Sequence, residues 1–138
     1  MSANDFDWAS TPLPTDLPGR NYGLNDIPAF SVVKLDTGNV LSGTNELVGL
    51  ALAGTGDYPL GVTVEDIPAG KQGRYRTQGI IPVTADKAIN AGDVVRAGFS
   101  GDVTSRSAGN NQIGQALTAA AALGDTILLA LSIGANNT

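Results

Sequence analysis

The sequence predicts a mainly β fold, a small antiparallel barrel or sandwich preceded by an extended N-terminal arm. Three observations lead there. From Phe30 onward the chain is a series of short runs rich in Val, Ile, Leu and Thr, broken roughly every 6–12 residues by Gly, Asp or Pro, the spacing of an all-β domain. Before Phe30 the composition is different: residues 1–29 hold four of the seven prolines (Pro12, Pro14, Pro18, Pro28) and four acids (Asp5, Asp7, Asp16, Asp26) against one base, Arg20. The stretches with helical leanings, Thr84–Ile89 and Ala119–Ala122, are too short to hold an isolated helix in water.

Residues 1–29 read as an arm and residues 30–138 as one compact β domain. So many prolines exclude a helix or a central strand from the arm, and truncation through residue 24 is expected to leave the β core folded. Its bulky anchors are Phe6, Trp8, Leu13, Leu17, Tyr22 and Leu24. Trp8, the only Trp, either folds back onto its own domain, as termini do, or docks on another chain, where Trp is a common anchor.

The strands follow in order. Phe30–Leu35 is an apolar run ended by Asp36-Thr37-Gly38, and Asn39–Leu41 is its expected return. Val48–Ala51 ends at Gly54-Thr55-Gly56-Asp57, read as a mobile loop, and Gly61–Val64 ends at Glu65-Asp66. Gly73–Thr77 follows the turn Pro68-Ala69-Gly70 and puts Arg74 and Arg76 on one face, with Tyr75 pointing inward, by the period of two. Gly79–Val83, Val94–Ala97, Val103–Ser105, Gly114–Ala119 and Thr126–Ser132 complete the set, each bounded by turn residues.

A weak internal repeat runs through them. Ser31-Val32-Val33-Lys34 and Thr37-Gly38-Asn39-Val40 align with Asp93-Val94-Val95-Arg96 and Ser100-Gly101-Asp102-Val103; Leu60–Val64 aligns with Ile113–Leu117, and Ala69-Gly70-Lys71 with Leu123-Gly124-Asp125. The first copy is longer, and the alignment puts its extra loop at Ser42–Tyr58.

The absence of Cys removes disulfides, thiolate metal sites and cysteine nucleophiles. The absence of His removes His-containing triads, His-ligated zinc and the one side chain that titrates near neutrality unaided. Eleven of the thirteen acids are Asp, and Asp36, Asp57, Asp93, Asp102 and Asp125 sit where an aspartate accepts backbone N–H bonds in a turn. Glu65 and Asp66 would point to opposite faces of a strand, unable to share one scissile bond. No EF-hand series, GxGxxG or GxxxxGK[ST] occurs, so no cofactor and no metal is expected. A net charge of −5 argues against nucleic acid, which needs a basic footprint. The start of the chain lacks the apolar core of a signal peptide, and no run of 18 apolar residues suggests a membrane partner. One cluster stands out: Lys71, Arg74 and Arg76 hold three of the eight bases. It reads either as a solvated face or as a patch for an acidic surface on a partner or neighbouring subunit.

Four stretches carry a resemblance. They are Leu60-Gly61-Val62 to Pro68-Ala69-Gly70; Gln78–Val83; Ala88-Ile89-Asn90-Ala91-Gly92-Asp93-Val94-Val95; and Ile113–Leu117 running to Ala120–Ile127. Together, over roughly residues 30–133, they resemble the capsid cement, or head decoration, proteins of tailed bacteriophages. The resemblance implies a β-tulip or β-clip type of fold, no catalysis, and homotrimers on the outside of an icosahedral head, made in the host cytoplasm. There they bridge neighbouring major capsid protein subunits. It transfers no ligand residues; the interface candidates remain Phe6, Trp8, Leu13, Leu17, Tyr22, Lys71, Arg74 and Arg76. The competing readings are a small carbohydrate- or peptide-binding β module of a surface or secreted protein, and a hydrolase using two aspartates.

Overall fold

The computed structural model describes residues 16–42, 46–105 and 111–133. Among them there is no helix. Ten strands follow one another: β1 (Leu17–Arg20), β2 (Val32–Leu35), β3 (Val48–Leu52), β4 (Gly61–Thr63), β5 (Gln72–Arg76), β6 (Gln78–Thr84), β7 (Val94–Ala97), β8 (Val103–Ser105), β9 (Gly114–Ala116) and β10 (Thr126–Ser132). The first five close a barrel in the order β1-β3-β2-β4-β5, and the second five form a sheet in the order β6-β10-β9-β7-β8.

These two sheets are the same structure built twice. In the first, β1 pairs antiparallel with β5, β5 with β4, β4 with β2 and β2 with β3, and β1 closes on β3 in parallel. In the second, β6 pairs with β10, β10 with β9, β9 with β7 and β7 with β8 in the same senses. The parallel bridge Ala85–Val103 stands where β1 meets β3. Registers agree residue for residue: Val33 faces Gly61 as Val95 faces Gly114, and Ile27 bridges Ile67 as Ile89 bridges Ala120. The repeat read from the sequence is therefore real, with its insertion beginning and ending earlier than the expected Ser42–Tyr58. β8 corresponds to β3, because Leu35 faces Leu50 as Ala97 faces Val103, so the extra residues lie in the β2–β3 connection, 36–47, against 98–102 in the second unit.

Two expectations are corrected here. Asn39–Leu41 is not a strand: the Asp36 carboxylate accepts Gly38 N–H (3.1 Å) and Asn39 Nδ2 (3.0 Å), folding the chain into a turn before β3. And the segment expected to hold no central strand supplies β1. Pro18 faces Arg74, whose carbonyl is taken by Val64 N–H and whose own N–H goes to Glu65. The pair is thus a non-hydrogen-bonded one, in which the N–H that proline lacks would not have served the β1–β5 ladder. Pro82, at the corresponding place in β6, faces Leu128 in the same way.

Alternation places the core. Along β10, Ile127, Leu129 and Leu131 point inward and their neighbours outward, the period-two pattern of a half-buried strand. One cluster (Ile27, Val33, Leu50, Ile67, Tyr75) fills the first barrel; the other joins the interior of the second sheet to Val32, Ala53, Val62 and Val64 of the first. Burial raises the pKa of the Tyr75 phenol. The two units are joined at that second cluster, where Phe30 also packs despite a left-handed backbone (φ 62°) that its counterpart Gly92 adopts without strain.

Gly61 and Gly114, aligned in the repeat, are required by close approach rather than by a turn. A Cβ on Gly61 would sit 2.6 Å from the carbonyl oxygen of Arg76, and one on Gly114 would run into that of Ala130. Neither obstacle is a flexible side chain, so Gly61→Ala and Gly114→Ala should each lower unfolding free energy by about 1–3 kcal/mol or more, read from urea unfolding. Ala at exposed Gly38, whose nearest neighbour would be 3.5 Å away, should be tolerated.

Candidate functional site

Of the eight residues singled out in the sequence, Phe6, Trp8 and Leu13 lie outside the described residues. Leu17 is exposed at the start of β1. Tyr22, half-buried, donates from its hydroxyl to Leu47 O (3.2 Å), with the Arg20 guanidinium 5.6 Å from its ring centre. Lys71 is exposed at the turn into β5.

The basic cluster does not form a continuous outer patch. Arg76 is 3% exposed: its Nε donates to Asp16 Oδ1 at 2.9 Å and its Nη2 to Asp16 Oδ2 at 3.2 Å, and the Asp16 side chain is 1% exposed. Arg74 pairs with Glu65 (3.2 Å), and its Nη1 is 3.8 Å from Asp16 Oδ2. The period of two correctly put both arginines on one face. That face is buried at Arg76 and partly exposed at Arg74, and the acid that neutralises Arg76 comes from the stretch read as an arm.

The turn aspartates behave as their positions suggest. Asp36 accepts Gly38 N–H, Asp57 accepts Gly54 N–H, Asp93 accepts Asn90 N–H, Asp102 accepts Phe99 and Ser100 N–H, and Asp125 accepts Ala121 and Ala122 N–H. Asp57 also meets Lys34 at 3.1 Å, so Gly54-Thr55-Gly56-Asp57 is a pinned turn rather than a mobile loop. The Gly54 N–H, and after it Lys34, hold the Asp57 carboxyl below the usual carboxylate range. This ion pair floors a groove of about 680 Å³ lined by Leu35, Ala51, Tyr58, Leu60 and Ile133 among others.

The other feature of the surface is apolar, and sequence reasoning missed it because it depends on which sheet face is left bare. On the outer face of the second sheet, Ile80, Ala130, Gln115 and Val94 lie side by side across β6, β10, β9 and β7. A second row beside it holds Pro82 and Leu128, with Leu117 bonded through its N–H to Leu128 O. Ile80 is 45% exposed, Leu117 44% and Val94 37%. The corresponding positions in the first unit are Asp16, Arg76, Val62 and Val32 in one row and Pro18, Arg74 and Val64 in the other. There Val32, Val62 and Val64 are each 0% exposed.

The sequence model of a family described as phage cement protein matches residues 24–131, a span that takes in β2 to β9 and all but the last residue of β10. Among solved structures, the chain is similar to the N base of head fiber gp8.5 of bacteriophage phi29. The TM-score is 0.64 at 19% identity, over 85% of this chain and 92% of that one, a likeness of fold. A comparison with curated proteins finds no match.

Proposed function

The chain belongs to the phage cement protein family, and from that premise we propose that it sits as a homotrimer on the outer surface of an icosahedral head and bridges neighbouring major capsid protein subunits. Its role is structural: it is a capsid decoration protein of the virion. The observation that carries the reading is the family match, which runs across both copies of the duplicated fold.

The chemistry of the chain supports a part played by surfaces and not by catalysis. Asp36, Asp57, Asp93, Asp102 and Asp125 are engaged in turns, and Glu65 and Asp66 hold Arg74 and the Ala29 N–H respectively. Attachment to several capsid subunits at once turns weak single contacts into firm retention, so a trimer needs no deep pocket. Residues 1–15, with Phe6, Trp8 and Leu13, supply the further contact to the shell or to an adjacent subunit, and Lys71 is exposed for charge pairing. Synthesis takes place in the host cytoplasm before assembly, where the net charge of −5 opposes indiscriminate association.

The test is to heat shells with and without the protein. Bound protein should raise the rupture temperature, and removal of residues 1–15 should reduce retention while circular dichroism stays unchanged. Shells that bind none of it, or rupture at the same temperature with it bound, refute the reading.

A further inference from the structure

We propose that Arg96 is the point at which a carboxylate side chain of the shell engages the second unit. This deepens the decoration reading above, by naming one contact and its chemistry, and rests on it.

The argument comes from the duplication. Val33 corresponds to Val95 in register, so Lys34 corresponds to Arg96, the one facing Ala51 and the other Thr104. Lys34 is neutralised inside the chain by Asp57, at 3.1 Å. Asp57 lies in the connection 53–60, between β3 and β4, and the connection 106–113, between β8 and β9, is equally long. Position for position Asn110 stands in the sequence where Asp57 does, and no acid occurs from 106 to 113. The second copy keeps the base and lacks the acid.

Nothing described replaces it. Among the described residues no carboxylate pairs with Arg96. Its Nε is buried without an acceptor, and its Nη1 donates only to the carbonyl of the next residue, Ala97, at 3.3 Å. Asp86, whose Oδ1 is also buried without a partner, is turned elsewhere: its Oδ2 lies at Gly98, where a Cβ would be 2.7 Å from it and 2.5 Å from Asp102 Oδ1. A buried donor on a charged group that finds no acceptor opposes folding, and a native group left so calls for a reason outside the fold.

The surroundings fit a protein carboxylate. Arg96 is partly exposed, on the outer side of β7 two residues after exposed Val94, and an apolar neighbour that excludes water strengthens a charge pair. The planar guanidinium suits an acceptor with two oxygens, the group that Asp57 supplies in the first unit. A second copy of the chain has few such groups to offer. Its described acids already hold a backbone N–H or an arginine, leaving Glu46 and Asp86. The shell is therefore the source.

The experiment measures binding of the full-length protein to shells stripped of it, at several salt concentrations. Arg96→Met should weaken binding at least about tenfold and flatten its dependence on salt. Circular dichroism should stay unchanged and the melting temperature should be equal or higher, since the substitution leaves no partner unpaired. Arg96→Lys keeps the charge but not the planar fork and should recover part of the binding. Asn110→Asp, which restores the acid of the first unit, should raise the melting temperature and weaken binding. Arg96→Met protein that binds shells like the parent, or Asn110→Asp protein that melts higher with binding unchanged, overturns the assignment and leaves the decoration reading standing. Two further results overturn it in the same way. Loss of self-association in solution by Arg96→Met gives the contact to a neighbouring copy, and an Asp5→Asn, Asp7→Asn protein that binds as weakly, with Arg96→Met adding nothing to it, gives the contact to the N-terminal residues. Parent protein that binds no shells removes the decoration reading, and this inference with it.

Discussion

Deleting residues 1–24 is expected to abolish folding, whereas deleting residues 1–15 is not. The longer truncation removes β1, which closes the first barrel by pairing with β5 on one side and β3 on the other. It uncovers two strand edges whose backbone groups then have no partner. It also opens the core, since Gly19 lies so close to Leu50 that a Cβ there would be 2.6 Å from its Cδ1. And it strips Asp16 from Arg76, leaving a guanidinium in a site only 3% exposed. That last loss alone is worth about 3–5 kcal/mol, against a typical domain stability of about 5–15 kcal/mol. Far-ultraviolet circular dichroism and thermal unfolding of the two truncated chains decide it. A 25–138 chain with a parent-like melting transition would show that the barrel does not need its first strand.

Asp16→Ala alone should lower the unfolding free energy by about 3–5 kcal/mol. The size follows from burial: both carboxylate oxygens are taken by Arg76, and neither partner can turn to water when the other is lost. Removing both charges at once is different. Asp16→Leu with Arg76→Met should recover most of the loss, because a buried pair repays its own desolvation only narrowly. Urea unfolding of the two single variants and the double variant gives the coupling, with the denaturant slope checked for constancy. Single variants within about 1 kcal/mol of the parent would mean that water reaches the pair.

Much of the fold was legible in the sequence because its signals are local. Alternation in Thr126–Ser132, the β-branched run at Gly61–Val64 and the Gly-Asp turn before Val103 each fix an element without reference to distant residues. The turn aspartates were readable for the same reason, since each bonds within a few positions of itself. β1 was not legible. Its partners are β3 and β5, far along the chain, and Pro18 argues against a strand until it is known which side of the ladder its missing N–H faces. The hairpin after Leu35 misled in the opposite direction: the Thr37-Gly38-Asn39 turn is present, but the lengthened connection places the returning strand at Val48. At the site, periodicity put Arg74 and Arg76 together but could not reveal that Asp16 lies over them, nor that the sheet face left bare is the apolar one at Leu117.

The pairing of each unit's first strand with its fifth also sets a timetable for synthesis. Neither sheet can close until its last strand has emerged from the ribosome, and such long-range pairings place the chain among the slower folders. Once Arg76 is out, the first unit has all its strands, yet Val32, Val62 and Val64 have nothing to pack against until the second unit is complete at Ser132. During that interval a nascent chain shows its neighbours on the polysome the apolar face that the finished molecule hides, and association there would compete with folding. The hazard ends when β10 completes the second sheet and its interior closes on Val32, Val62 and Val64, so slowing translation across residues 77–132 should raise the aggregated fraction more than slowing it across residues 16–76.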